Sequence, residues 1–378
     1  MDFSWSVEQN ELYEQAVRFG ASFKSTAVTD PSQFNIAGWK SLAEFGALGL
    51  CAPKEYGGMG LDALSTARVF EGLGYGCPDR GLLFAAAAHL FACIMPLAEH
   101  GSDALRAKFV PDLIAGKSIA GNALTEPEAG SDIANLVSRA QQDRDDYVLN
   151  ADKSYVTNGP VADLFLVYAI TNKNAGHLGI SAFVVSRDLE GVTAGPAFEK
   201  LGLGSAPVGA LYLDNCRVSK AHRVGGEGQG TRIFAGSMKW ERACLFAIFL
   251  GAMEKQLDVC VAYARERHQF GTAISNNQAV SHRIADMKFR LEAARLLLYR
   301  ACWLSDRGGD STLEISLSKL AVSEATIRSG LDSIRLHGGL GYAAESGIAE
   351  LMLDGIGSAI FSGTSDIQRT IIANRLGL

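Results

Sequence analysis

Two short stretches of this 378-residue chain carry the side chains that a flat, phosphate-bearing ligand would need. In Ala123-Leu124-Thr125-Glu126-Pro127-Glu128-Ala129-Gly130-Ser131-Asp132, glycine and alanine let backbone approach a ligand closely. Thr125 and Ser131 add hydroxyl donors for phosphate or ring oxygens. Lys153-Ser154-Tyr155-Val156-Thr157-Asn158-Gly159 reads as a strand running into an Asn-Gly turn. Tyr155 and Thr157, two residues apart, face one side of such a strand, so one can stack on a ring while the other bonds its edge. Taken alone, each stretch is equally a polar loop or an ordinary hairpin. Trp240-Glu241-Arg242 places a carboxylate near the start of a long helical region. By spacing alone, Glu241 is a solvated residue paired one turn away, worth ~0.3–0.5 kcal/mol. His89 stands in an apolar run and reads first as a packed helical histidine, second as a group shaping a pocket.

Composition narrows the classes. Hydrophobic residues make up 48% and charged ones 20%, which fits neither disorder nor a coiled-coil rod. A net charge of −6 argues against a nucleic-acid surface or a polybasic membrane anchor. The seven cysteines are scattered without a C-x-x-C pair, so no disulfide scaffold and no metal site is expected, and the cytoplasm is the expected compartment. The acidic N-terminal stretch, with Glu8, Glu11 and Glu14, reads as no signal or transit peptide. Leu82 to Ala98 is shorter than the ~20 residues of a spanning helix and reads as a buried helix.

All nine prolines lie in the first 207 residues, so the remainder should be long helices. Ile284, Met287, Leu291 and Leu298 form one apolar stripe there, and Phe289, Leu296, Tyr299 and Trp303 a second. Two stripes predict a helix enclosed in a bundle. Breaks are expected at 268–271, 307–310, 338–341 and 363–364. In the middle, 146–149, 154–157, 164–170, 180–185 and 211–213 are β-branched or aromatic runs between turn residues. Helical patterns occupy 8–23, 39–45, 64–73 and 82–100 before them. The expected class is α+β, with an N-terminal helical domain (1–118), a middle antiparallel β-barrel (119–224) and a C-terminal four-helix bundle (225–378).

Together the two stretches resemble the acyl-CoA dehydrogenase family: the first its T-E-P-x-A-G-S-D signature, the second its I-T-N-G strand. Further matches in order are Lys200-Leu201-Gly202, Gly225 to Gly230, Arg265 to Gly271 with Gln278, Gly338 to Tyr342, and Gly363 to Gln368. The resemblance implies FAD between barrel and bundle, usually in a homotetramer. Leu124, Thr125 and Ser131 would contact flavin ring and pyrophosphate, and Tyr155 and Thr157 would flank the isoalloxazine. Arg267, Phe270, Gln278, Gly338 and Gly339 would meet the adenosine half from a neighbouring subunit, and Thr364 and Asp366 would close over the dinucleotide. Arg335 stands where the family usually has Gln.

The implied reaction removes the Cα proton of a thioester while hydride leaves Cβ for the flavin, and needs a desolvated carboxylate as base. Many members keep that Glu just before the final Gly-Thr, where this chain has Ser362. Isovaleryl and long-chain branches carry it at the position of Glu241, beside an Arg matching Arg242. Runs around His89, Glu241 and Tyr299 resemble the prolyl- or aminoacyl-carrier-protein dehydrogenases of pyrrole natural-product pathways. The expected substrate is then a prolyl thioester on a carrier protein, oxidised toward pyrrole-2-carboxyl, with His89, Arg242 and Ser362 shaping its pocket. A short- or branched-chain acyl-CoA dehydrogenase with the same base, and a non-catalytic member, are the alternatives. The electron acceptor would be an electron-transferring flavoprotein or dioxygen.

Overall fold

A computed structural model describes residues 4–23 and 34–378. The first helix, α1 (Val7–Ala21), is started by a capping box in which Ser6 and Gln9 satisfy each other's backbone N–H groups. Helices α2 (Ile36–Phe45), α3 (Ala63–Gly76), α4 (Arg80–His89), α5 (Met95–His100) and α6 (Asp103–Ile114) follow. Asp79 caps α4, and a π-helical turn, Leu90–Ile94, joins α4 to α5. This Arg80–His100 stretch has the length and apolarity to cross a membrane, yet its apolar 18-residue window is buried inside the protein. Helix α6 was not legible in the sequence, because Pro111 sits inside it.

The middle segment contains β1 (Ala120–Ala123), β2 (Arg139–Asp143), β3 (Asp146–Thr157), β4 (Leu164–Ile170), β5 (Ile180–Ser186), β6 (Val192–Ala197), β7 (Val208–Ser219) and β8 (Arg223–Val224). Here the structure corrects the expected antiparallel barrel. The order is β6-β7-β3-β2-β4-β5-β8, an open path, and β1 runs parallel to β4. Alternating apolar residues reveal which side chains face inward, but not whether the end strands meet. Residues 146–149 and 154–157 belong to one strand, β3, interrupted by two register shifts against β7. Strand β4 is buried on both faces. Phe165 and Val167 enter the core within the sheet, whereas Leu166 and Tyr168 enter the helical core.

Helices α7 (Gly230–Trp240) and α8 (Ala247–Glu266) are linked by a second π-helical turn, Glu241–Leu245. A hairpin of β9 (His268–Gln269) and β10 (Thr272–Ala273) leads to α9 (Gln278–Asp306) and α10 (Thr312–His337). Then come α11 (Gly339–Tyr342), α12 (Glu350–Ser358) and α13 (Ser365–Arg375). The breaks fall at the expected glycines. On α9 the first stripe is largely buried through Met287, Leu291 and Leu298. The second is not enclosed as expected: Tyr299 packs on Trp5, but Phe289, Leu296 and Trp303, seven residues apart, are 72%, 55% and 42% exposed. A pattern of apolar residues does not distinguish burial within a chain from burial between chains.

Candidate active site

The two ligand-facing stretches lie side by side. Ser154 N–H donates to the Thr125 carbonyl (2.8 Å), and Lys153 Nζ donates to the Leu124 carbonyl (3.0 Å) and Glu126 Oε1 (2.7 Å). Glu126 also accepts from the Val137 and Ser138 N–H groups at 2.6 and 3.0 Å. Burial alone would raise the Glu126 carboxyl, but these hydrogen bonds and the Lys153 charge hold it below the ordinary range. Lys153 and Glu126 stand inside the quoted motifs without having been singled out. A lysine on the inward side of a strand was the available signal.

One of the register shifts in β3 lies between Lys153 and Val156, with Tyr155 in a left-handed conformation (φ 56°). Lys153 and Val156 point inward, and Tyr155 is left 71% exposed beside a half-buried Thr157. Asn158, also left-handed, donates to the Ala85 and Ala120 carbonyls and ties the turn to α4 and β1. Leu124 is nearly buried, Thr125 half-buried and Ser131 exposed.

A second group of residues gathers on the helical segment. Phe270, at the tip of the β9–β10 hairpin, is 99% exposed in a left-handed turn with Gly271. Arg267 ends α8 and Gln278 begins α9 on either side of it. The ring contact between Tyr263 and His337 (4.3 Å) brings the end of α8 to the end of α10, where Arg335 is exposed and Gly338 and Gly339 face open space. Thr364 caps α13 by accepting from the Ile367 N–H, while Asp366 is exposed and bonded to Arg369. Near that cap the buried Ser365 Oγ and Gln368 Oε1 have no protein partner. Orphaned polar atoms, an uncovered aromatic ring and glycines open to solvent are the features a flavin dinucleotide would satisfy, so the residues present fit that group.

Glu241 is the first residue of the second π-helical turn, a distortion often found at functional sites. Its side chain is 7% exposed. Burial raises its carboxyl above the ordinary range, while the Ser362 hydroxyl and the Arg242 charge oppose that rise. Ser362 donates its hydroxyl hydrogen to Glu241 Oε1. Arg242 Nε donates to the Ser362 carbonyl at 2.7 Å. The charge of Glu241 also acts on Cys93, in the first π turn, and on Tyr168 of β4. A buried, desolvated carboxylate is what proton abstraction from a weak carbon acid requires.

His89 follows the first of its two readings, the packed helical histidine. It is fully buried, accepts from the Ala120 N–H at Nδ1 (3.0 Å) and donates from Nε2 to the Leu113 carbonyl (3.1 Å). Both nitrogens are committed to joining β1 and α6, so the ring packs the core and offers no free polar atom to a ligand. Two surface grooves of about 580 Å³ lie elsewhere, and neither is lined by Glu241.

Acyl-CoA dehydrogenase profiles match nearly the whole chain: the N-terminal domain over residues 6–117, the middle domain over 121–216 and the C-terminal domain over 228–377. The chain belongs to the acyl-CoA dehydrogenase family. It is 48% identical to an L-prolyl-[peptidyl-carrier protein] dehydrogenase of Pseudomonas fluorescens, covering 100% of both chains. A solved structure of PigA with FAD and proline is 42% identical, with a TM-score of 0.98 and 100% of each chain covered. The prolyl acyl carrier protein oxidase AnaB is 41% identical, with a TM-score of 0.97, covering 99% of this chain and 100% of that one. Within the acyl-CoA dehydrogenase family this fold is shared by helical N-terminal, β middle and helical C-terminal segments, as observed here.

Proposed function

We propose that this chain is an FAD-dependent dehydrogenase of a prolyl group carried as a thioester on a peptidyl carrier protein, oxidising the ring toward pyrrole-2-carboxyl. The similarity over the full length to a prolyl-carrier-protein dehydrogenase supports the substrate class. The single structural observation that carries the chemistry is the buried Glu241 carboxylate on its π turn. FAD, when bound, supplies the two-electron acceptor. Glu241 takes the Cα proton, and its burial keeps bulk water from the carboxylate. Leu124, Thr125, Ser131, Tyr155 and Thr157 hold the ring and pyrophosphate. Arg267, Phe270, Gln278, Arg335, Gly338 and Gly339 meet the adenosine half across a subunit boundary, and Thr364 and Asp366 cover the dinucleotide. The exposed Phe270 and the uncovered seam of α9 support a homo-oligomer, which we take as a tetramer. Electrons leave to an electron-transferring flavoprotein or to dioxygen, in the cytoplasm.

Anaerobic stopped-flow flavin bleaching tests this reading. Prolyl-carrier protein should bleach the flavin and isovaleryl-CoA should not. Bleaching by the CoA ester alone would make the chain a branched-chain acyl-CoA dehydrogenase. A Glu241→Gln variant should retain FAD and lose reduction, and undiminished reduction would remove Glu241 from its role.

A further inference from the structure

Ser362 has a backbone that its side chain does not favour. Its φ is +57°, a region non-glycine residues seldom occupy and one that costs on the order of 1–3 kcal/mol. Four contacts around the loop hold it there. Arg242 Nε donates to the Ser362 carbonyl at 2.7 Å, and Gln368 Nε2 to the Gly363 carbonyl at 3.0 Å. The Ser365 N–H donates back to the Ala359 carbonyl at 2.8 Å. Phe361 sits between Phe84 and Phe246, with ring centroids 4.5 and 5.6 Å away. Glycine at 363 is required, since its φ is +85° and an added Cβ would come within 2.9 Å of Arg242. The outcome of this frame is a hydroxyl aimed at one oxygen of a buried carboxylate.

We propose that Ser362 is a positioning residue for the base: its hydroxyl commits Glu241 Oε1, so that Oε2 receives the proton from the substrate's Cα. The proposal rests on the reading of Glu241 as the base. Oε2 accepts no hydrogen bond from the described residues, whereas Oε1 has Ser362. Without the hydroxyl, the two oxygens become equivalent and the carboxylate turns freely about its last bond. A hydroxyl is also the suitable partner chemically, because it donates to the ionised form without bringing a charge of its own. It offsets the rise that burial imposes on the carboxyl and keeps the base ionised at lower pH.

The test compares Ser362→Gly, Ser362→Ala and Glu241→Gln as FAD-loaded proteins, using anaerobic flavin reduction by prolyl-carrier protein across pH. Ser362→Gly favours the left-handed backbone and so keeps the loop folded. Both serine variants should reduce flavin ~10- to 100-fold more slowly, the worth of one charge-assisted hydrogen bond, with little change in the substrate concentration for half-maximal rate. Their ascending limb of rate against pH should move to higher pH by the same amount in each. If Glu241→Gln is inactive while both serine variants keep the parent rate and pH limb, the positioning role is overturned and the base stands. If Glu241→Gln reduces flavin normally, the base assignment fails and takes this proposal with it.

Discussion

Lys153 Nζ lies 2.7 Å from Glu126 Oε1 with both side chains almost completely out of water. This pair fastens β3 to the loop that carries Leu124 and Thr125. Breaking one member of a buried pair leaves an uncompensated charge, at about 3–5 kcal/mol. Lys153→Met should therefore lower stability by that order and release FAD on gel filtration. The double variant Lys153→Met, Glu126→Gln should recover part of the stability, read from denaturant midpoints.

His89 makes acid stability a second measurable. Burial pushes its imidazole down to about 4, against the pull of the hydrogen bond to the Leu113 carbonyl. The unfolded state, with an ordinary histidine near ~6.5, binds more protons between those values. Stability should thus fall as pH drops from about 6.5 to about 4, by on the order of 3 kcal/mol from this residue. His89→Gln should be less stable at pH 7 but flatter across that window in urea titrations.

Phe361 supports the Ser362 loop from below. It is half-buried, so truncation to alanine should cost about 2 kcal/mol, less than the ~3–5 of a fully buried ring. Flavin reduction should fall more than stability suggests, because the frame of Ser362 loosens. Thermal melting and stopped-flow reduction on one preparation check both.

The exposed seam of α9 predicts an assembly defect. Phe289→Glu with Leu296→Glu should leave the chain folded by circular dichroism yet shift it to a smaller species in sedimentation velocity. On the proposed assembly FAD retention should fall with it, since the exposed Phe270 would no longer meet a neighbouring copy.

Much of this protein was readable in one dimension. The proline-free C-terminal half, the glycine breaks, β4 and the family's motifs are local features, set by backbone sterics and side-chain period. Glu241 was legible only through the resemblance, since as a sequence position it is one more helical glutamate. Tertiary structure decided what depends on distant neighbours. The barrel stayed open because closure depends on whether end strands meet, not on alternation. His89 became a core bridge because Leu113 and Ala120 arrive on either side of it. Ser362, 121 positions from Glu241, became its hydrogen-bond donor only when α13's entry loop folded against the π turn. Side-chain chemistry is written locally, whereas desolvation and hydrogen-bond partnership exist only once the chain has closed on itself.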